Sequence, residues 1–147
     1  SIQYTMKAID AFDRQQMVSH RVKSRWNLAR LLAAQQRHVE ALKILPEIQE
    51  EFHDLGMEVD VALVAVDMAE SLLALDRVAE IPDACRVAMD YFHSANLAFT
   101  EGALTALATL REAAARSTFT LADIQDSRAY FECLPRGPHT MFASLPS

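Results

Sequence analysis

Two histidines each lie three residues after an acidic residue, a spacing that suits metal binding. The pairs are Glu50–His53 and Asp90–His93. On a helix this spacing places both side chains on one face, and acid-x-x-His pairs on two helices bind the metals of ferritin-like bundles. Such a centre also needs a carboxylate from each of two further helices. Both pairs are predicted to end a helix, where a histidine stabilises the negative helix terminus. We therefore expect capping and packing, with a metal-binding helical protein as the less favoured alternative.

A basic segment with one tryptophan has the residue types of a nucleic-acid-binding surface. Its cations are Arg21, Lys23, Arg25 and Arg30, and Trp26 lies among them. Cations bind phosphates and an indole stacks on bases, but this spacing distributes the charges around a helix rather than along one stripe. Residues 1–46 carry eight Lys or Arg against three acidic residues, a net +5, whereas the remainder carries six against seventeen, a net −11. We expect a solvated helix surface, internal neutralisation of the two halves and no nucleic-acid partner.

Other signatures of catalysis or cofactor binding are missing from the sequence. It contains no glycine-rich phosphate loop, no GxSxG, no HExxH and no EF-hand spacing. Cys85 and Cys133 lie 48 positions apart without a CxxC motif, which favours reduced thiols and a cytoplasmic protein over a disulfide scaffold or zinc ribbon. Cys85 is predicted to be an inert buried thiol and Cys133 to be exposed. The sequence predicts no enzyme activity, no cofactor and no bound metal.

Composition favours one helical domain. The chain has 147 residues, of which 51% are apolar and 23% charged, with three glycines and five prolines, too few breakers for a loop-rich β-protein. The longest apolar stretch, residues 61–75, is interrupted by Asp67 and Glu70, so no membrane span is predicted. A helical pattern follows Ser1 directly, which predicts a fragment of a longer polypeptide.

The sequence repeats with a period of forty residues. Residues 28–57 and 68–97 share seven identities, including Phe52-His53 and Phe92-His93. Apolar residues within each period have helical spacing, so each period is predicted to be a helical hairpin. Gly56 follows the second arm, where a residue in the left-handed conformation commonly ends a helix, and Asn96 is its counterpart.

The pattern predicts seven helices and a tail. Near residue 120, Thr120 and Asp123 can form a helix cap, and Phe119 can pack on Ile124. We expect a helical domain over residues 1–134 and an irregular tail over 135–147, which Pro135 begins. The predicted helices are 2–16, 19–36, 39–55, 58–75, 78–95, 98–116 and 120–134.

Two stretches resemble tetratricopeptide repeats. Leu28, Ala29, Leu32 and Ala41 match the repeat's spacing, although Arg25 stands where the usual tryptophan would be and Gln36 replaces the turn glycine. The second stretch is similar to the C-terminal segment of bacterial tetratricopeptide-like proteins, many of them regulatory. It comprises residues 62–69, Asp76-Arg77, Glu80, Tyr91-Phe92, residues 101–104 and residues 112–114.

This resemblance implies a fold and a function. The fold would be an all-α, right-handed superhelix of antiparallel helical hairpins, an α-solenoid whose first helices line a concave groove. The function would be that of a non-catalytic protein-interaction or scaffolding module, which binds a partner helix or peptide in the groove; the alternative is a small-ligand sensor. Self-association through Tyr4, Ile9 and Phe12, or through the tail, is a further expectation. The groove residues would be Lys23, Trp26, Arg30, Leu63, Val66, Glu70, Leu73, Ala106 and Leu110.

Overall fold

A computed structural model describes residues 2–95, 100–116 and 118–134. The regular elements of these residues are all helices, as the sequence predicted, and none of those helices combines the length and apolarity that a bilayer span requires. Asn96, Leu97 and the predicted tail lie outside the described residues. The helices are α1 (Ile2–Ala34), α2 (His38–Asp54), α3 (Glu58–Ala74), α4 (Ile81–Ala95), α5 (Thr100–Ala115) and α6 (Leu121–Cys133), and a 3₁₀ turn (Val78–Glu80) precedes α4.

The first two predicted helices form one helix. The prediction of a break near residues 17 and 18 was wrong, because α1 continues without interruption for 33 residues. Residues 2–34 contain neither glycine nor proline, so no residue there favours an end to the backbone hydrogen bonding. The described part of the chain therefore has six α-helices instead of the predicted seven.

Three helices end with the same backbone turn, and the ends are twenty residues apart. Gln36, Gly56 and Asp76 adopt φ values of 64°, 70° and 57°. The amide of the following residue bonds to a carbonyl five positions back, which is the Schellman arrangement. The predicted left-handed conformation of Gly56 is confirmed, whereas those of Gln36 and Asp76 were not predicted. The bonds are Arg37 N to Leu32 O (2.8 Å), Met57 N to Phe52 O (2.9 Å) and Arg77 N to Leu72 O (2.8 Å).

These turns give the forty-residue repeat a structural basis. The α1–α2 and α3–α4 connections are alike, and in each an arginine pairs with a glutamate three positions on, Arg37 with Glu40 and Arg77 with Glu80. Phe52 and Phe92 are both fully buried. Phe12, one period earlier, is 59% exposed, so the repeat of buried aromatic residues does not extend to the start of α1.

Each helix packs on the next helix in the chain, and α6 also packs on α3. Short turns reverse the chain after α1 and α2, so α1 and α3 run in the same direction. The predicted cap of α6 is present, because the Thr120 amide donates to Asp123 Oδ2 at 2.8 Å. Phe119, Ile124 and Phe131 bring this last helix into the core. The largest fully buried side chains elsewhere are Phe52, Phe92, Leu45, Ile48, Ile81, Leu107 and Leu110.

Candidate functional site

A cleft of about 560 Å³ opens beside the carboxyl-terminal ends of α1 and α3. The start of α2 and one face of α6 complete its wall. Its polar residues include Arg30, Asp67, Glu70 and Arg128. Small side chains of α1 and α3 leave the space open. The apolar lining is formed by Ala29, Ala33, Ala34, Leu45, Leu73, Ala74 and Leu121.

Asp67 is the centre of the polar network in this cleft. Its carboxylate accepts hydrogen bonds from Trp26 Nε1 at 2.7 Å, Arg30 Nε at 2.9 Å and Arg128 Nη2 at 2.9 Å. Arg128 also donates to Glu70, and the Arg30 guanidinium carbon lies 4.0 Å from the centroid of the Trp26 ring, a cation–π contact. One buried carboxylate therefore connects α1, α3 and α6.

The charge of Arg128 is stabilised by its acidic partners. Burial opposes the charge, but the hydrogen bond to Glu70 and the negative charge of Asp67 outweigh this cost, so the pKa of Arg128 lies above its ordinary value. A guanidinium has five N–H donors, and the bonds described above involve one nitrogen of Arg30 and one of Arg128. The geometry of the group allows one arginine to donate to more than one carboxylate or carbonyl oxygen.

His38 connects the start of α2 to α3 at the edge of the same cleft. The ring is buried, with Nδ1 3.0 Å from Ser71 Oγ and Nε2 3.2 Å from Gln36 Oε1. Because an amide oxygen only accepts, this network assigns the proton to Nε2, and Ser71 then donates to Nδ1. Both ring nitrogens are occupied by structural bonds, which suits a positioning role better than proton transfer.

The structure divides the nine predicted groove residues into three groups. Arg30, Glu70 and Leu73 are half-buried and line the cleft together, and Lys23 is exposed on α1 outside it. The other five are in the core and present no open surface: Trp26, Leu63, Val66, Ala106 and Leu110.

Asp67 and Arg128 were missed as site residues. A lone carboxylate within the apolar run of α3 was the available signal, since a buried charge requires partners. The identity of those partners depends on where α6 packs, and no local pattern specifies that contact. The predicted polar groups Arg30 and Glu70 make no direct bond, and they are linked through Asp67 and Arg128.

The predicted acid–histidine pairs lie in a different place. Glu50, His53 and Asp90 line a second cavity of about 500 Å³ between α2 and α4, whereas His93 is exposed and is not part of its lining. The His53 ring packs edge-on against Tyr91 with centroids 4.5 Å apart. Both histidines are in the last turn of their helices, as predicted. Within residues 2–95, 100–116 and 118–134, no group of three His, Cys, Asp or Glu side chains has a geometry that could hold a metal ion.

Two of the four cations of the basic segment, Arg25 and Arg30, are paired with carboxylates. Arg25 bonds to Glu47 at 2.9 Å and to Glu51 at 2.8 Å, and Arg30 bonds to Asp67. The indole is buried, 7% exposed, and is not available for base stacking. These contacts join the basic start of the chain to its acidic remainder, as expected for internal neutralisation, and the absence of a nucleic-acid partner stays a prediction.

The two thiols differ in environment, as predicted. Cys85 is buried, and burial raises the pKa of its thiol to about 12, although Arg111 opposes the shift. Cys133 is exposed at the end of α6. At neutral pH the Cys85 thiol is therefore protonated and poorly nucleophilic.

The sequence has no match among protein-family models, and comparisons with curated proteins and with solved structures found no match either.

Proposed function

We propose that this chain is a non-catalytic interaction module that binds an apolar peptide segment in the cleft between α1, α3 and α6. The observation that carries the proposal is the combination of an apolar lining with a rim of ion-paired polar groups. Asp67 and His38, the titratable groups placed deepest in the cleft, are both engaged by structural hydrogen bonds. A rim of this kind orients a ligand and leaves no proton donor or acceptor dedicated to chemistry.

The proposed binding mode is insertion of one or two apolar side chains into the cleft. Leu73 and Leu121 would contact them, and Arg30, Arg128 and Glu70 would bond to the polar groups beside them. Burial of apolar surface contributes about 25 cal/mol per Å². The paired helices are proposed to follow the right-handed tetratricopeptide-like arrangement, and in this proposal α6 occupies the part of the concave face nearest α3 and α5. The module is proposed to act in a bacterial regulatory protein of the cytoplasm.

A peptide library tests this proposal directly. Peptides enriched on the purified protein from a random displayed library would be titrated against the wild type and Leu73→Glu by fluorescence anisotropy. We expect Leu73→Glu to weaken binding at least about tenfold. Val87→Glu is the matched control, because Val87 is an exposed apolar residue of α4 outside the cleft. Equal binding to wild type and Leu73→Glu would contradict the proposal.

The charge reversal Arg30→Glu is a less suitable test of the cleft. Arg30 pairs with Asp67 and contacts Trp26, so reversal of its charge would place two carboxylates together and destabilise the fold. The apolar side chain of Leu73 is not part of the Asp67 network, so its substitution removes none of the Asp67 hydrogen bonds.

A small-ligand sensor is the second candidate function. The cleft volume of about 560 Å³ lies in the range of small-molecule sites. A metabolite panel screened by thermal unfolding would favour this candidate if one compound raised the melting temperature of the wild type but not of Leu73→Glu, and if the peptide library gave no binder.

A further inference from the structure

Residues 6–18 of α1 contribute no buried side chain to the core. Every side chain from residue 6 to residue 18 is exposed, and burial begins only near Val22. Further along, Val22, Trp26 and Ala29 face inward, while Leu28 and Leu31 point away from the core. A 33-residue helix thus presents a long free face.

That face carries an apolar stripe along most of the helix. Five large apolar side chains, between 51% and 65% exposed, succeed one another at spacings close to whole turns. The polar positions between them on this face are Asp10, Asp13, His20, Ser24 and Asn27. From end to end the stripe measures about 38 Å at 1.5 Å per residue, and large exposed apolar side chains aligned on one helix face favour a protein contact. The stripe consists of Met6, Ile9, Met17, Leu28 and Leu31.

We propose that this stripe binds a second copy of the chain, with the two α1 helices antiparallel and crossing at Met17. Three of the five stripe residues are symmetric about Met17, whereas the positions related to Ile9 and Leu31 are Arg25 and Gln3. Met6 and Leu28 are each eleven positions from Met17, so a two-fold axis at Met17 places Met6 of one copy opposite Leu28 of the other and Met17 opposite itself. The interface is isologous and closed, as most homodimer interfaces are.

Charges along the stripe also favour the antiparallel pairing. Asp13 and Arg21 are each four positions from Met17, so the same axis places the carboxylate of one copy level with the guanidinium of the other, twice per dimer. Asp10 lies on the same flank, one turn before Asp13. Arg14 is also on this flank, and its Nε donates to the backbone oxygen of Asp10 within its own helix at 3.4 Å.

A parallel pair would oppose like charges. Asp13 would face Asp13, and Arg21 would lie beside Lys23 of the other copy. Such juxtapositions act against the parallel alternative. The antiparallel pair also leaves the two cores at opposite ends of the contact, because burial along α1 begins only near Val22.

Sedimentation equilibrium of the purified chain over micromolar concentrations tests the proposal. We expect a dimer for the wild type and for Met17→Leu, and a dissociation constant raised at least about tenfold for Met17→Glu, which opposes two carboxylates on the axis. Val87→Glu is the control for an added charge at an exposed apolar site, and Leu73→Glu should also dimerise, which separates this proposal from the cleft. A monomeric wild type, or a Met17→Glu variant that dimerises normally, would overturn it.

A charge exchange tests the direction of the helices. Asp13→Arg and Arg21→Asp should each weaken the dimer, and the double variant should restore it because each copy again offers both signs at the same level. In a Cys133→Ser background, a mixture of Met6→Cys and Leu28→Cys proteins should form a mixed disulfide on oxidation. A predominant disulfide between two Met6→Cys copies, or no restoration in the double variant, would refute the antiparallel arrangement.

Discussion

Asp67 shows how one side chain determines the arrangement of three helices. Its carboxylate is 9% exposed, and an ionised group at such a depth is tolerated only when hydrogen bonds replace water. Trp26, Arg30 and Arg128 supply those bonds from α1 and α6. The interruption of the apolar run in α3 is therefore a structural feature of the cleft.

Removal of the Asp67 charge is expected to destabilise the fold strongly. Asp67→Asn keeps the shape but leaves two half-buried guanidiniums with one fewer anion, and loss of one partner from a buried ion pair costs roughly 3 kcal/mol or more. Urea unfolding followed by circular dichroism measures this loss in the free energy of unfolding. Asp83→Asn is the control, since Asp83 is a highly exposed carboxylate, and a loss at Asp67 no larger than at Asp83 would show that the network contributes little.

At the scale of elements, the repeat is clearer in the backbone geometry of the helix ends than in the side chains of the helix interiors. Gln36, Gly56 and Asp76 close three successive helices with one backbone geometry. Only one of the three is glycine, although a left-handed residue other than glycine costs about 1 kcal/mol. The geometry is therefore maintained by the Schellman bonds and by packing of both arms.

Opposite changes at two of these ends should have opposite effects. Asp76→Gly relieves the left-handed strain and is expected to raise the free energy of unfolding by about 0.5–1 kcal/mol, whereas Gly56→Ala should lower it by about 1 kcal/mol. A Cβ at Gly56 would meet no atom within 4 Å, so its cost would come from φ alone. Thermal unfolding of both variants measures the two changes in stability, and changes of the same sign would contradict this explanation.

The two arginine–glutamate pairs of these turns predict a pH effect. Hydrogen bonds from Arg37 and Arg77 hold the pKa values of Glu40 and Glu80 below their ordinary value. A lowered pKa in the folded state stabilises the protein above the unfolded pKa of about 4.3, and this contribution is lost as pH falls through the lower folded values. Because both pairs are exposed, the effect is small and weakens with salt.

The variant Glu40→Gln/Glu80→Gln isolates this contribution. We expect its free energy of unfolding to approach that of the wild type as pH falls below about 4, while a small deficit persists near pH 7. Denaturant titrations at several pH values measure the difference. A deficit that is independent of pH would show that the pairs act through packing rather than charge.

At the scale of the whole molecule, α6 closes the core over α3 and α5. It contributes Ile124 and Phe131 to the buried cluster and Arg128 to the Asp67 network. Contacts between residues about sixty positions apart therefore join α6 to α3. The cleft exists because α6 lies beside α3 without filling the space between α1 and α3.

Truncation of a core residue in α6 should weaken the whole domain. Phe131→Ala removes a fully buried ring, and such changes cost about 3–5 kcal/mol. Trp26 fluorescence, which reports from α1, and circular dichroism should then show one shared transition at lower denaturant. A Trp26 transition that stayed at the wild-type midpoint would show that α6 unfolds separately.

Local patterns in the sequence predicted most of the helices and their ends, together with the cap of α6 and the turn at Gly56. Spacing of apolar residues identified the elements, and the Thr120–Asp123 cap and the Gly56 turn follow from the stereochemistry of a few neighbouring residues. The helix break predicted at residues 17 and 18 was wrong, because no glycine or proline interrupts the helix there. Arg30, Glu70 and Leu73 were predicted as site residues from the resemblance to tetratricopeptide repeats, whose first helices line a groove.

Only the tertiary structure decided which faces are covered. Leu63, Val66, Ala106 and Leu110 have the same spacing whether a groove is open or filled, and packing of the described helices buries them. Likewise, the spacing of apolar residues in α1 is compatible with either a core or a surface position, and the structure shows that Met17 and Leu28 are exposed. Helix periodicity is a local property of the backbone, whereas burial depends on contacts between residues far apart in the chain.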